Sequence, residues 1–109
     1  MTTFDDREAA FETRFVHDAE MEFMAQASRN KHVAYWAAAL MGKTAEQAVR
    51  YAKDLIRVDL EEQGSDDVIE KLKTDLGDLS DEAAIRAKMA QYLEEAREKA
   101  RASDIRTVL

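Results

Sequence analysis

The sequence predicts an all-α protein: a small four-helix bundle with a mobile, conditionally helical N-terminal arm. Three observations carry this prediction. There is no proline in 109 residues, against a usual share of about 5%. Nineteen residues are Ala, and Glu, Lys, Arg, Leu and Met supply much of the rest, all residues that lose little or no rotamer freedom in a helix. The three glycines, Gly42, Gly64 and Gly77, are each followed within three residues by Thr or Ser. Glycine accepts the left-handed backbone just past a helix end, and Ser or Thr caps the next helix start. No segment alternates apolar and polar residues, so no strand is expected.

The first helix spans about Phe4 to Met41, and its two halves differ in character. From Phe23 onward, Ala25, Ala27, Val33, Trp36, Ala37, Leu40 and Met41 form a core-facing pattern. Trp36 reads most simply as a core anchor. Residues 1–19 instead hold three of the four Phe, with five acids against Arg7 and Arg14. Phe4, Phe11 and Phe15 are spaced by seven and then four and so share one helical face. Glu8 and Glu12, like Asp18 and Glu22, are like charges four apart, which oppose an isolated helix. Two readings stay open for this stretch. It is ordered only when a partner receives the Phe face, or it folds back and packs on the bundle.

Thr44 with Gln47 has capping-box spacing and opens the second helix, whose stripe is Val49, Ala52, Ile56 and Leu60. Ser65, ahead of Asp66 and Asp67, caps the third, with Val68, Ile69, Leu72 and Leu76 on one face. Ser80, ahead of Asp81 and Glu82, opens the fourth, with Ile85, Met89, Tyr92, Leu93 and Ala96. Each stripe needs a neighbour to bury it. The pairs Glu46–Arg50, Arg57–Glu61, Asp67–Lys71 and Glu95–Lys99 mark solvated faces. Short connections make adjacent helices antiparallel. The chain thus divides into an arm, residues 1–19, and a bundle, residues 20–109.

Composition narrows function. Without cysteine there is no disulfide framework, thiolate metal site or cysteine nucleophile. A formal charge of -7 argues against nucleic acid and against an anionic membrane surface, and no apolar run reaches membrane-spanning length. The acidic N-terminus is not a targeting peptide, and the chain reads as a soluble intracellular domain. No metal motif, phosphate loop or nucleophile elbow is present. His17 and His32 read as exposed or half-buried; His17, at the edge of the arm, is also a candidate pH-sensitive element. The doublets Asp66–Asp67 and Glu94–Glu95 read as caps and solvated faces. Met21, Met24 and Met41 read as core fillers. Arg29, Asn30, Lys31 and His32 form a local basic patch, either an exposed helix face or a small anion or nucleotide contact beside Trp36.

Several strings in register resemble the zeta inhibitor subunit of the alphaproteobacterial F-type ATP synthase. They begin with Phe4-Asp5-Asp6-Arg7-Glu8, Ala10-Phe11-Glu12, Phe15 and His17-Asp18. They continue through Arg29-Asn30-Lys31, Trp36-Ala37-Ala38, Met41-Gly42, Ala48, Tyr51-Ala52-Lys53, Asp59 with Glu61-Glu62, and Asp67-Val68 with Lys71. From about Leu79 onward the likeness is one of pattern and length. Ser28 stands where the family favours a basic residue.

The resemblance implies a non-enzymatic inhibitor whose arm enters a catalytic interface between alpha and beta subunits of the ATPase head. The arm there reaches toward the rotor subunit and folds as a helix, blocking rotary ATP hydrolysis. Phe4, Phe11 and Phe15 are the expected anchors. Asp5, Asp6, Glu8, Glu12 and Asp18, with Arg7, Arg14 and His17, complete the expected partner-binding set. The implied location is the cytoplasmic side of the inner membrane, held through the ATP synthase without direct insertion. No cofactor is expected beyond weak ATP or ADP binding at Arg29, Asn30, Lys31 and Trp36. The alternatives are a small adenine-nucleotide-binding sensor and a generic helical adaptor.

Overall fold

The computed structural model describes the backbone of residues 3–61 and 65–108 and the side chains of residues 18–61 and 66–102. Its elements are α1 (Thr3–Leu40), α2 (Ala45–Glu61), α3 (Ser65–Leu76), a short 3-10 turn (Gly77–Leu79) and α4 (Glu82–Val108). With no proline to remove a backbone donor, α1 runs for 38 residues without interruption. At about 1.5 Å per residue that is roughly 57 Å, so α1 alone nearly spans the 62 Å long axis. The radius of gyration, 17.5 Å, exceeds the roughly 13 Å of a compact chain this size for the same reason.

The punctuation works as the residues predict at two places and shifts at another. Gly42 adopts φ 71°. Its N–H donates to the Ala39 carbonyl at 3.1 Å and the Lys43 N–H to that of Ala38 at 2.9 Å, closing α1 with a Schellman motif. Thr44 and Gln47 then form a reciprocal capping box: the Thr44 N–H donates to Gln47 Oε1 at 2.9 Å and the Gln47 N–H to Thr44 Oγ1 at 3.2 Å. At the fourth helix the cap is Asp81 rather than Ser80, because the Asp81 carboxylate accepts the Ala84 N–H at 2.8 Å. Carboxylates and hydroxyls compete for this position on nearly equal terms. The side chain of Ser65 and the position of Gly64 lie outside the described residues.

The helices α2, α3 and α4 gather around the second half of α1. The core joins Val33, Ala34 and Ala37 of α1 to Tyr51, Ala52 and Leu55 of α2, the quartet Val68, Ile69, Leu72 and Leu76 of α3, and Ile85 and Met89 of α4. The stripes expected on α3 and α4 are the ones that pack. On α2 the buried face is rotated: Tyr51, Ala52 and Leu55 are inside, whereas Val49 and Leu60 are exposed. Tyr51 turns the helix because its ring is buried while its hydroxyl donates to Asp75 Oδ2 at 2.8 Å. Lys71 pairs with that same Asp75 at 3.0 Å and lies over the Tyr51 ring at 5.3 Å, instead of reaching Asp67. Trp36 is only half-buried at the core's edge; the centre is aliphatic. Phe23, Met24 and Leu40 are exposed, so Met24 is not a core filler.

Leu72→Ala should lower the unfolding free energy by about 2–5 kcal/mol. Gly42→Ala should lower it by about 1–2 kcal/mol, since a Cβ disfavours the left-handed backbone. Urea denaturation checks both, with an unchanged m-value showing that the bundle still unfolds as one unit.

Candidate functional site

The structure places the expected residues in two groups. Of the arm set, Phe4, Asp5, Asp6, Arg7, Glu8, Phe11, Glu12, Arg14, Phe15 and His17 have side chains outside the described residues, although their backbone belongs to α1. Asp18 is described and exposed, as are Ala19 and Glu20. Ala25 is the first buried residue among the described side chains. Among the described residues the core thus begins at Ala25, while the helix itself begins at Thr3.

The basic patch is not an exposed helix face. Arg29 is 6% exposed and Asn30 is fully buried, while Lys31 and His32 face outward. Asn30 stands three residues before Val33, four before Ala34 and seven before Ala37, so its spacing puts it on the core stripe. That spacing was the available signal; the run of charges around Asn30 masked it. Inside, Arg29 Nε donates to Asn30 Oδ1 at 3.1 Å, and Asn30 Nδ2 donates to Asp59 Oδ2 on α2 at 3.0 Å. Arg29 Nη2 approaches the same carboxylate at 3.9 Å but has no hydrogen-bond partner within the described residues. Burial pushes the Arg29 guanidinium below the usual arginine value, and Asp59 opposes that shift. A buried cation with so few partners is costly.

A cavity of about 160 Å³ opens beside Arg29, lined by Ile69, Arg86, Met89, Ala90 and Leu93 as well. Lys31 and Trp36 do not line it, so the four residues expected to touch nucleotide are not gathered in one place. His32 packs its ring against Tyr92, with centroids 5.7 Å apart. No cluster of His, Cys, Asp and Glu among the described residues is arranged to hold a metal. No described helix is long and apolar enough to cross a membrane.

One further charged contact escapes sequence reading. Glu22 on α1 accepts two hydrogen bonds from Arg97 on α4, across 75 positions that no local spacing relates. The Arg97 hydrogen bonds hold the Glu22 carboxyl below the usual glutamate range, against the opposing effect of burial. Because the folded-state pKa is depressed, the contact contributes stability above the ordinary glutamate pKa and loses it as pH falls through the lower folded value.

Asp59→Ala should cost about 3–5 kcal/mol, because it strands a buried guanidinium. Arg29→Met should cost less, since the Asp59 carboxylate is nearer solvent and keeps its bond from Asn30. Paired urea melts check the order; equal losses would show that the Arg29 charge is not what Asp59 compensates.

Comparison with known proteins adds a family match and a structural one. The family described as ATPase inhibitor subunit zeta matches residues 1–99. A solved structure, described as a solution NMR structure, is 38% identical, covers 77% of this chain and 96% of its own, and superposes with a TM-score of 0.67. No curated protein matches the chain.

Proposed function

Because this chain belongs to the ATPase inhibitor subunit zeta family, we propose that it is a non-enzymatic inhibitor of its host's F-type ATPase, with residues 1–19 as the inhibitory segment. The segment enters an interface between alpha and beta subunits as a helix, reaches toward the rotor, and blocks rotary hydrolysis. One observation carries the division of labour: the described core begins at Ala25, while α1 begins at Thr3. Residues 18–20, the described part of this stretch, are exposed, which supports reading the segment as available to a partner.

The chemistry of the segment suits that task. Phe4, Phe11 and Phe15 fall on one face and supply the large apolar anchors that dominate helix-in-groove binding. The surrounding acids, with Arg7 and Arg14, set register against charged walls. A catalytic interface must close and open at each turnover, so a helix wedged in it holds one step. The molecule is 29 × 25 Å across its long axis, so the bundle is too wide to follow a single helix into such an interface and acts as a stop. Attachment through the ATPase head would place the protein on the cytoplasmic side of the membrane.

Deleting residues 1–19 should abolish inhibition of the purified ATPase head and leave the bundle folded by circular dichroism. Phe11→Ala and Phe15→Ala should each raise the half-inhibitory concentration by at least about tenfold, the scale of a lost anchor, with the melting temperature nearly unchanged. Retained inhibition after deletion would sink the assignment; a large fall in melting temperature would put the rings in the core.

A second reading, weak adenine-nucleotide binding, is favoured by Arg29 and Arg86 sharing the wall of one cavity. At about 160 Å³ it matches the size of cavities that take a single benzene, so it would hold only part of a nucleotide. Titration with ATP should shift the amides of Arg29, Arg86, Met89 and Leu93; silence at all four removes this reading.

A further inference from the structure

Among the described residues, the polar tie between α1 and α4 nearest the start of α1 is a fork. Arg97 Nε donates to Glu22 Oε2 at 3.1 Å, and Arg97 Nη2 donates to Glu22 Oε1. Gln26 Nε2, one turn along α1, also donates to Glu22 Oε1 at 3.3 Å. On one side of this point Asp18, Ala19 and Glu20 are exposed; on the other, Ala25 is buried. Glu22 thus lies between the exposed residues 18–20 and the first buried residue of α1 among those described.

We propose that the Glu22–Arg97 fork is a latch that fixes where α1 leaves the bundle, and so how much of the inhibitory helix is preorganised for its partner. The functional half of this inference depends on the inhibitor reading above. Two effects combine at the latch. The fork is bidentate and charge-assisted, which gives it direction as well as energy. It also relieves a local conflict: Asp18 and Glu22 are like charges four apart, a pair that opposes helix continuation, and Arg97 neutralises the inner member. Glu94 draws on Arg97 from its own helix, and Arg29 draws on Glu22 from the next turns of α1, so the contact sits within a small alternating set of charges.

The two side chains are 42% and 40% exposed, so the latch has the strength of a surface pair. Its opening should change local helix fraying about three- to fivefold and leave global stability nearly untouched. Fraying should stop at Ala25, where burial takes over. A helix that enters a partner in continuity with the bundle would bind more weakly by a similar factor when its root is frayed, because the ordering cost is then met during binding.

The test compares the full chain with Arg97→Gln, Glu22→Gln and Arg97→Lys by amide hydrogen exchange and by inhibition of the ATPase head. Arg97→Gln should speed exchange at residues 20–25 about three- to fivefold and raise the half-inhibitory concentration similarly. Glu22→Gln should do less, since it also removes the repulsion from Asp18. Arg97→Lys should lie nearest the unaltered chain. Amides of Leu55 and Leu72 should not change. Unchanged exchange at residues 20–25, or faster exchange spread through the core, overturns the latch. Local fraying with unchanged inhibition overturns its link to function. If the unaltered chain does not inhibit, the inhibitor reading fails along with that link, and the exchange pattern alone decides whether the latch exists.

Discussion

The whole fold depends on burying one short stripe of α1. Val33, Ala34 and Ala37 are fully buried, and the three other helices meet there. Two of these three residues are Ala, which lets neighbouring helices approach closely while larger side chains from the partners fill the space. Leu55, Leu72 and Ile85 are those partners, one from each surrounding helix and each fully buried. A small residue on the central helix and a large one on each outer helix is a complementary arrangement. It explains why the single Trp is left at the rim: at the centre its volume would push the outer helices apart.

That stripe is interrupted by a polar residue, and the interruption has consequences. Asn30 occupies a core position on α1 and is satisfied only if Asp59 stands opposite it on α2. A slide of α2 by one turn, about 5.4 Å, would take the acceptor away from the buried Asn30 Nδ2 and the carboxylate away from Arg29, a cost that the apolar contacts alone would not impose. The apolar faces of α1 and α2 tolerate slippage; the Asn30–Asp59 bond does not. The cost of burying Arg29 beside them belongs to the same device.

Helix number, the Gly42 end of α1, the Thr44–Gln47 box and the packed faces of α3 and α4 were all legible in the sequence, because each depends on residues within about one turn of each other. The rotated face of α2 was not. Val49, Ala52, Ile56 and Leu60 make as regular a stripe as Tyr51, Ala52 and Leu55. The choice between them is made by Asp75 on α3, which takes the Tyr51 hydroxyl and makes burial of that ring affordable. The burial of Arg29 and the fork between Glu22 and Arg97 were hidden for the same reason: their partners lie on other helices. Position along the chain shows where a charge is, and only tertiary packing shows whether another charge will face it.

The two ends of α1 obey opposite requirements, and the charge pattern follows them. Among the described residues, every buried side-chain polar atom has a hydrogen-bond partner, with the exception of one nitrogen of Arg29. Toward its start the chain places acids at helical spacing to one another, Glu8 with Glu12 and Asp18 with Glu22, and the first pair has no basic residue three or four positions from either member. A segment meant to stay helical on its own would not be written this way. On the inhibitor reading the pattern has a purpose. A helix that is poorly supported alone gains most when a partner supplies the missing cations and covers the Phe face, so its order is tied to being bound. Glu22 is where that dependence ends, because there the missing cation is supplied from within the protein, by Arg97.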